Sequence, residues 1–138
     1  MKVVVSACLL GENCKYNGGN NYSERIERML EGEEILAVCP EALAGLGVPR
    51  APMELVDGVP FNDRGECLKD KLDAAIDEIK RLAVEKGVSL AILKSRSPTC
   101  GVKEIYDGSF SHTLIPDMGL LAHALGDMGI KVIDCEDI

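Results

Sequence analysis

The sequence lacks several features that would point directly to a functional class. It has no tryptophan, two phenylalanines and three tyrosines, and no apolar run approaches the ~18 residues that a membrane span needs. It also lacks a basic excess, because 15 Lys and Arg stand against 23 Asp and Glu and give a net charge of −8. A chain this acidic has little attraction for a phosphate backbone. A membrane span and a nucleic-acid partner are therefore both disfavoured.

Closely spaced cysteine pairs are missing as well. Six cysteines in 138 residues fall short of the density of disulfide scaffolds, and the chain has enough aliphatic residues to fold without disulfides. No C-x2-C pair is present, although zinc sites and thioredoxin-like dithiols usually draw on such pairs. The valines and single lysine before Cys8 do not make a signal peptide. We therefore expect reduced thiols and a cytoplasmic location.

The chain does contain alternating strand and helix patterns. Four continuous apolar runs predict strands that are buried on both faces of a parallel sheet; they cover residues 2–7, 34–39, 88–95 and 130–135. Between them, helical patterns begin at Ser23 as a predicted N-cap, cover residues 67–86 up to Gly87, and cover residues 117–129. Residues 53–66 carry the turn signals of a hairpin. These patterns predict one α/β domain, residues 1–138, with a mainly parallel, Rossmann-like sheet flanked by helices.

Three cysteines follow predicted strands. Cys8, Cys39 and Cys100 each stand beside turn-forming or polar residues, in "CLLG", "CPE" and "SPTCG". Ligands of parallel α/β sheets bind beyond the carboxyl ends of the strands, so we expect these three thiols to share a functional edge. The alternative is that cysteine packs as a small hydrophobe, which we predict for Cys67 at the start of the long helix.

Two further cysteines fall near the same edge. Cys14 belongs to the loop that also holds Cys8, and loop packing is its expected role, with a part as sulfur carrier or ligand as the alternative. Cys135 ends the fourth predicted strand. If the other three thiols at this edge held a four-iron cluster, Cys135 could bind its fourth iron. No iron would then remain without a protein ligand.

Cysteines that are far apart in the chain suit an iron–sulfur cluster, because a cluster accepts thiolates from separate loops. Three such ligands leave one iron of four without a protein ligand.

A second hypothesis is a cysteine-nucleophile enzyme, since "VVVSACLLGENCK" is similar to the phosphate loop of low-molecular-weight tyrosine phosphatases and arsenate reductases. That loop needs Cys-x5-Arg, whereas the first basic residue after Cys8 here is Lys15, which cannot form a planar bidentate clamp. A noncatalytic module that binds metal or an iron–sulfur cluster is the third reading.

Four stretches, in order, carry a family resemblance: "VSACLLGENCKYNGG" (5–19), "VCPEALAGLGVPRAPMEL" (38–55), "AILKSRSPTCGVKEIYDGSF" (91–110) and "MGLLAHAL" (118–125). Together they resemble the YbbK-like family, formerly classed as a domain of unknown function, some of whose members are 2-thiouracil desulfidases. The resemblance implies that Cys8, Cys39 and Cys100 hold a 4Fe-4S cluster whose fourth iron binds the sulfur of the substrate. It implies a small thiolated heterocycle such as 2-thiouracil as the substrate, and sulfide as a product.

The same resemblance and the neighbouring positions suggest further site residues. Glu41 would act as general base for an attacking water and then as acid at the ring nitrogen; the alternative is a solvated loop carboxylate or a neighbour of a helix N-cap. Ser97 would orient water or substrate, or cap the turn. Arg50 and Arg96 would hold a carbonyl oxygen or an anionic group of the substrate; the alternative is that each is an ordinary surface cation. The sequence is compatible with a monomer and with a homo-oligomer.

The chain also departs from the family pattern. The family commonly has Asp, Gly, Ser and Gly where this chain has Asn17, Ala44, Thr99 and His112. The stretch between the predicted hairpin and the long helix is shortened. None of these departures touches the three cysteines or Glu41.

Overall fold

The computed structural model describes all residues from 1 to 138. It contains eight strands: β1 (Lys2–Ser6), β2 (Glu34–Val38), β3 (Met53–Val56), β4 (Val59–Asn62), β5 (Leu90–Leu93), β6 (Ile105–Tyr106), β7 (Leu114–Ile115) and β8 (Lys131–Asp134). It contains four α-helices: α1 (Glu24–Met29), α2 (Pro40–Leu43), α3 (Lys69–Lys86) and α4 (Leu120–Asp127). Two 3-10 turns, Ala7–Leu10 and Cys135–Asp137, follow β1 and β8.

The central sheet is parallel throughout. Its strand order is β2-β1-β5-β8, and Val4 of β1 pairs with Leu36 on one side and Ala91 on the other. The three valines of β1 are completely buried, as expected for a central strand that is covered on both faces. The four predicted strands are these four, so the predicted α/β fold with a parallel sheet is confirmed.

Helices cover both faces of this sheet. Alternation along β1 sends Val4 toward α3 and α4, while Val3 and Val5 face α1. Leu121 and Leu125 of α4 are completely buried, and burying a leucine side chain contributes about 1.5–3 kcal/mol. At eight residues, α4 is too short to be stable alone, so this packing holds it in place.

The side of β1 on which the chain adds strands changes after β2. From β1 the chain passes to β2 on one side, and β5 later joins the other side of β1. This arrangement opens a crevice at the carboxyl ends of β1 and β5, which is the place where open parallel sheets bind ligands. Two small antiparallel hairpins, β3–β4 and β6–β7, make up the remaining β-structure.

Several local expectations can be compared with the structure. The Ser23 hydroxyl accepts a hydrogen bond from the Ile26 amide (3.3 Å), so the predicted N-cap of α1 is confirmed. The hairpin predicted within residues 53–66 is β3–β4. The packing role predicted for Cys67 is wrong, because α3 begins at Lys69 and the Cys67 side chain is exposed. None of the four helices combines the length and apolar character needed to cross a membrane.

Candidate functional site

The three predicted cysteines meet at the carboxyl edge of the sheet. Cys8 lies in the 3-10 turn after β1, Cys39 directly follows β2 as the N-cap of α2, and Cys100 lies in the loop after β5. All three line one cavity of about 460 Å³. The cavity lies at the crevice between β1 and β5, where the order of the strands predicts a ligand.

Burial favours the protonated form of two of these thiols. Burial raises the pKa of Cys8, and a hydrogen bond from the Asn21 side-chain amide to its sulfur (3.4 Å) offsets the rise in part. Burial, and then the charge of Glu41, raises the pKa of Cys100 to about 12. Because only the thiolate is a strong metal ligand, metal binding at this edge must release thiol protons.

A fourth thiol faces the same cavity. Cys14 is buried and lines the cavity wall, and burial followed by its proximity to Cys39 raises its pKa. The Cys39 thiol in turn donates to the Cys14 carbonyl at 3.7 Å. The sequence placed Cys14 in this loop but did not predict that it faces the cavity.

Cys135 lies apart from these four thiols. Its sulfur accepts a hydrogen bond from the Ser95 amide at 3.5 Å, and its side chain lines a neighbouring cavity of about 450 Å³. The two cavities share Asn21 and Lys94 in their walls. The structure therefore does not bring Cys135 into the cavity of Cys8, Cys39 and Cys100.

The thiols at this edge of the sheet share the donor chemistry of iron–sulfur clusters. No three His, Cys, Asp or Glu side chains converge closely enough to hold one metal ion. In a cluster each thiolate binds a different iron, so its ligands surround a space instead of converging on a point. An all-thiol donor set drawn from separate loops is what iron–sulfur clusters accept. The thiols of Cys8, Cys39 and Cys100 have the donor chemistry that a 4Fe-4S cluster needs, and their role as its ligands stays a prediction.

A chain of hydrogen bonds joins the cysteine loop to Glu41. The hydroxyl of Thr99, which is completely buried, donates to Glu41 Oε2 at 3.1 Å. The single hydroxyl hydrogen of Thr99 is then committed to Glu41. The Ser97 hydroxyl is therefore the donor in the 3.1 Å contact between Ser97 Oγ and Thr99 Oγ1. Sequence reasoning missed this role of Thr99, and its place between Ser97 and Cys100 was the only signal.

Ser97 also caps its own turn. Its oxygen accepts hydrogen bonds from the amides of Thr99 (3.2 Å) and Cys100 (3.0 Å). The predicted turn-capping role of Ser97 is thus present, and its hydroxyl remains able to donate to Thr99 Oγ1. Ser97 and Glu41 both line the cavity.

The two predicted substrate-binding arginines reach the cavity wall but already have protein partners. Arg50 donates to the carbonyls of Cys14 (2.8 Å) and Gly47 (3.0 Å). Arg96 forms ion pairs with Glu104 and Glu136, both at 3.1 Å. Substrate binding by either arginine stays a prediction. Lys15 and Lys94 line the same cavity, and the ammonium of Lys94 donates to Ser95 Oγ at 2.9 Å.

An aromatic pair and a buried carboxylate shape another part of the wall. The rings of Tyr106 and His112 meet edge to face, with centroids 6.3 Å apart. His112 has a left-handed backbone (φ 61°), a conformation that glycine adopts without strain. The carboxylate of Glu54 accepts hydrogen bonds from the amides of Gly108 (3.0 Å) and Phe110 (3.1 Å). Glu54 thereby ties the segment that leads to His112 to β3.

The loop after β1 is not built to hold an oxyanion. The amides of Gly11, Glu12 and Cys14 donate to backbone carbonyls at 3.3, 3.3 and 2.9 Å, so they are not free to surround a phosphate or arsenate. A nucleophilic cysteine needs a lowered pKa, whereas burial raises the pKa of Cys8. Both observations argue against Cys8 as the nucleophile of a phosphatase-like enzyme.

Comparison with known proteins places the chain in a family. The model of the 2-thiouracil desulfurase family matches residues 3–137. The uncharacterized protein YbbK of Bacillus subtilis (strain 168) is 33% identical over 141 residues, covering 95% of this chain and 93% of YbbK. A solved structure of the 4Fe-4S-dependent thiouracil desulfidase TudS superposes with a TM-score of 0.92 at 31% identity, covering 99% of this chain and 92% of that one. The chain therefore belongs to the 2-thiouracil desulfurase family, and the resemblance seen in the sequence is confirmed.

Proposed function

We propose that this member of the 2-thiouracil desulfurase family is a 4Fe-4S-dependent desulfidase. It removes sulfur, as sulfide, from a thiolated nucleobase such as 2-thiouracil. The reaction is a hydrolysis, in which a thiocarbonyl compound and water give the carbonyl compound and hydrogen sulfide without net oxidation or reduction. The whole 138-residue chain acts as one domain. The observation that carries the proposal is the shared cavity of Cys8, Cys39, Cys100 and Glu41.

Cys8, Cys39 and Cys100 are the proposed cluster ligands. When bound through three thiolates, a four-iron cluster supplies one iron without a protein ligand as a Lewis acid for the soft sulfur of a thiocarbonyl. Lys15, Arg50 and Lys94 face the same cavity in a chain whose net charge is −8. These cations offset the negative charge of three thiolates gathered at one edge.

Glu41 is the proposed proton carrier. Its carboxylate takes a proton from the attacking water and gives a proton to the ring nitrogen of the substrate. Thr99 orients the carboxylate through its 3.1 Å hydrogen bond, and Ser97 supports Thr99. The half-buried position of Glu41 on the wall allows one oxygen to face the substrate while the other accepts from Thr99.

The proposed substrate is a small free heterocycle and not a nucleic acid, because a chain of net charge −8 is poorly suited to many phosphate contacts. Reduced thiols are required for cluster binding, which supports a cytoplasmic location.

The test is to measure iron, acid-labile sulfide and turnover on the same anaerobic preparations. Purified, reconstituted parent protein is expected to hold about four irons and four sulfides per chain and to release sulfide from 2-thiouracil. Cys8→Ser, Cys39→Ser and Cys100→Ser should each lose both cluster and activity. Cys67→Ser is the matched control, because this thiol is exposed and does not line the cavity, and it should behave like the parent.

The alternatives predict different results. Cluster loading without sulfide release from any thiobase would identify a noncatalytic binding module. A chain that stays iron-free after anaerobic reconstitution would contradict the proposal. Metal-independent activity that disappears in Cys8→Ser but persists in Cys100→Ser would instead restore the cysteine-nucleophile reading.

A further inference from the structure

The start of α4 lies directly against the loop that carries Cys100. The Leu120 amide donates to the Pro98 carbonyl (3.0 Å), and the amides of Leu121 and Ala122 share the Thr99 carbonyl (2.7 and 3.2 Å). Just before the helix, the Gly119 amide donates to the Gly101 carbonyl at 2.8 Å. The first amides of a helix have no partner within the helix. Here they are satisfied by the carbonyls of the cysteine loop, so helix and loop are joined by four hydrogen bonds.

This contact depends on the absence of a side chain at Gly119. A Cβ at this position would lie 2.5 Å from the carbonyl carbon of Thr99, 2.6 Å from its oxygen and 2.9 Å from the Cys100 nitrogen. Cβ atoms essentially never approach another heavy atom closer than 3.0 Å. The obstructing atoms belong to the backbone, so no side-chain rotation can relieve the overlap.

Backbone conformation does not explain the glycine. Gly119 has φ −69° and ψ 166°, an extended conformation that any residue can adopt. Glycine is therefore required at this position by the space between helix and loop. A Cβ at 119 would therefore force the start of α4 and the Thr99–Cys100 peptide apart.

We propose that Gly119 is a positioning residue for the desulfidase site, a proposal that rests on the function proposed above. By allowing the Thr99–Cys100 peptide to lie against the start of α4, Gly119 sets the place of the Cys100 sulfur relative to Cys8 and Cys39. It also sets the place of the Thr99 hydroxyl, which donates to Glu41. Gly119 itself does not line the cavity, so it acts only through the residues it positions.

A matched control lies inside α4, the helix that Gly119 precedes. Gly126 is exposed, and a Cβ there meets no heavy atom within 4 Å. Gly126→Ala therefore makes the same chemical change in α4 without touching the loop. Because alanine favours a helix more than glycine does, this variant should fold at least as well as the parent and load the same iron.

The first experiment measures thiol labelling on iron-free protein, so it does not depend on cluster binding. Rates of maleimide labelling are followed for each cysteine by peptide mass spectrometry, with exposed Cys67 as the internal reference. Cys100, which is 4% exposed in the parent, should label at least tenfold faster in Gly119→Ala. Buried Cys14 should keep its parent rate, because global unfolding, unlike a local shift of the loop, would expose it as well.

The second measurement is iron and sulfide per chain after reconstitution. Gly119→Ala should retain less than half of the parent's cluster, while Gly126→Ala matches the parent. Parent-like labelling of Cys100 together with parent-like iron content in Gly119→Ala would overturn the proposal. If instead the parent itself takes up no iron, the proposed function fails, and the labelling rates still decide whether Gly119 positions Cys100.

If the Gly119→Ala chain does not fold, a second variant tests the same contact between α4 and the cysteine loop. Leu120→Pro suits the first position of a helix and the extended backbone of Gly119 suits a residue before proline, but it removes the amide that binds the Pro98 carbonyl. Selective exposure of Cys100 and loss of iron are expected here too. Parent-like values for both in a folded Leu120→Pro protein would overturn the proposal.

Discussion

Removing the hydroxyl of Thr99, which lies 3.1 Å from Glu41 Oε2 and 3.7 Å from the Cys100 sulfur, tests whether it acts on catalysis or on cluster binding. Thr99→Val keeps the shape of a completely buried side chain but deletes the donor to Glu41 Oε2. A hydrogen bond to a charged group contributes about 1.5–3 kcal/mol. If that energy holds the carboxylate in its reactive orientation, its loss lowers kcat/KM by about 10- to 150-fold.

The fold should tolerate this change. Glu41 and Ser97 are only partly buried, so water can replace the lost partner of each. The Ser97 oxygen keeps its hydrogen bonds from the Thr99 and Cys100 amides, which preserves the turn. We expect a loss of about 1 kcal/mol, equivalent to roughly 4 °C in Tm for a domain of this size.

The assay compares sulfide release, iron content and Tm for the parent and three variants. Thr99→Ser retains a hydroxyl and should recover most of the activity. Thr113→Val is the control, since the Thr113 hydroxyl is exposed and pairs with that of Ser111 at 2.8 Å. Sulfide release, iron content and Tm should all stay at their parent values. Parent-like kcat/KM in Thr99→Val would refute the positioning of Glu41 by Thr99, and loss of iron would show that the effect arises at the cluster.

Three further predictions address the remaining groups. Glu41→Gln should keep the full iron content but lose at least 100-fold in kcat, as expected for a general acid–base residue, measured by sulfide release. Cys135→Ser should retain cluster and turnover, because this thiol lines the neighbouring cavity; loss of iron on reconstitution would contradict that. In iron-free protein, exposed Cys67 should be alkylated first and Cys100 last, since Cys100 is buried and its pKa is raised to about 12; mass spectrometry of partly labelled protein gives the order.

Much of the fold could be predicted from local patterns. Continuous apolar runs such as that of β1 identify strands buried on both faces, and strands alternating with amphipathic helices favour a parallel sheet. Once that topology is assumed, the residues after each strand must share one edge. For this reason the meeting of Cys8, Cys39 and Cys100 could be anticipated, although they are separated by 31 and 61 positions in the chain.

Groups within irregular loops were harder to predict. Cys14 faces the cavity because the loop after β1 turns back and is held by Arg50, which donates to the Cys14 carbonyl. No periodic pattern encodes such a turn, so packing was the expected role of Cys14. The error at Cys67 has a related cause, because the end of β4 pairs with this residue through an isolated bridge from Phe61, which delays the start of α3.

The role of Gly119 shows why some site residues have no local signature at all. As an N-cap in an extended conformation, this glycine looks replaceable by serine or aspartate, which are better capping residues. Its constraint comes from Thr99, 20 positions away in the chain, whose carbonyl fills the space that a Cβ would need. A capping side chain would also be redundant, because the loop carbonyls already accept from the first amides of α4. The requirement for glycine therefore exists only in the folded chain, where the first amides of α4 donate to the carbonyls of the cysteine loop.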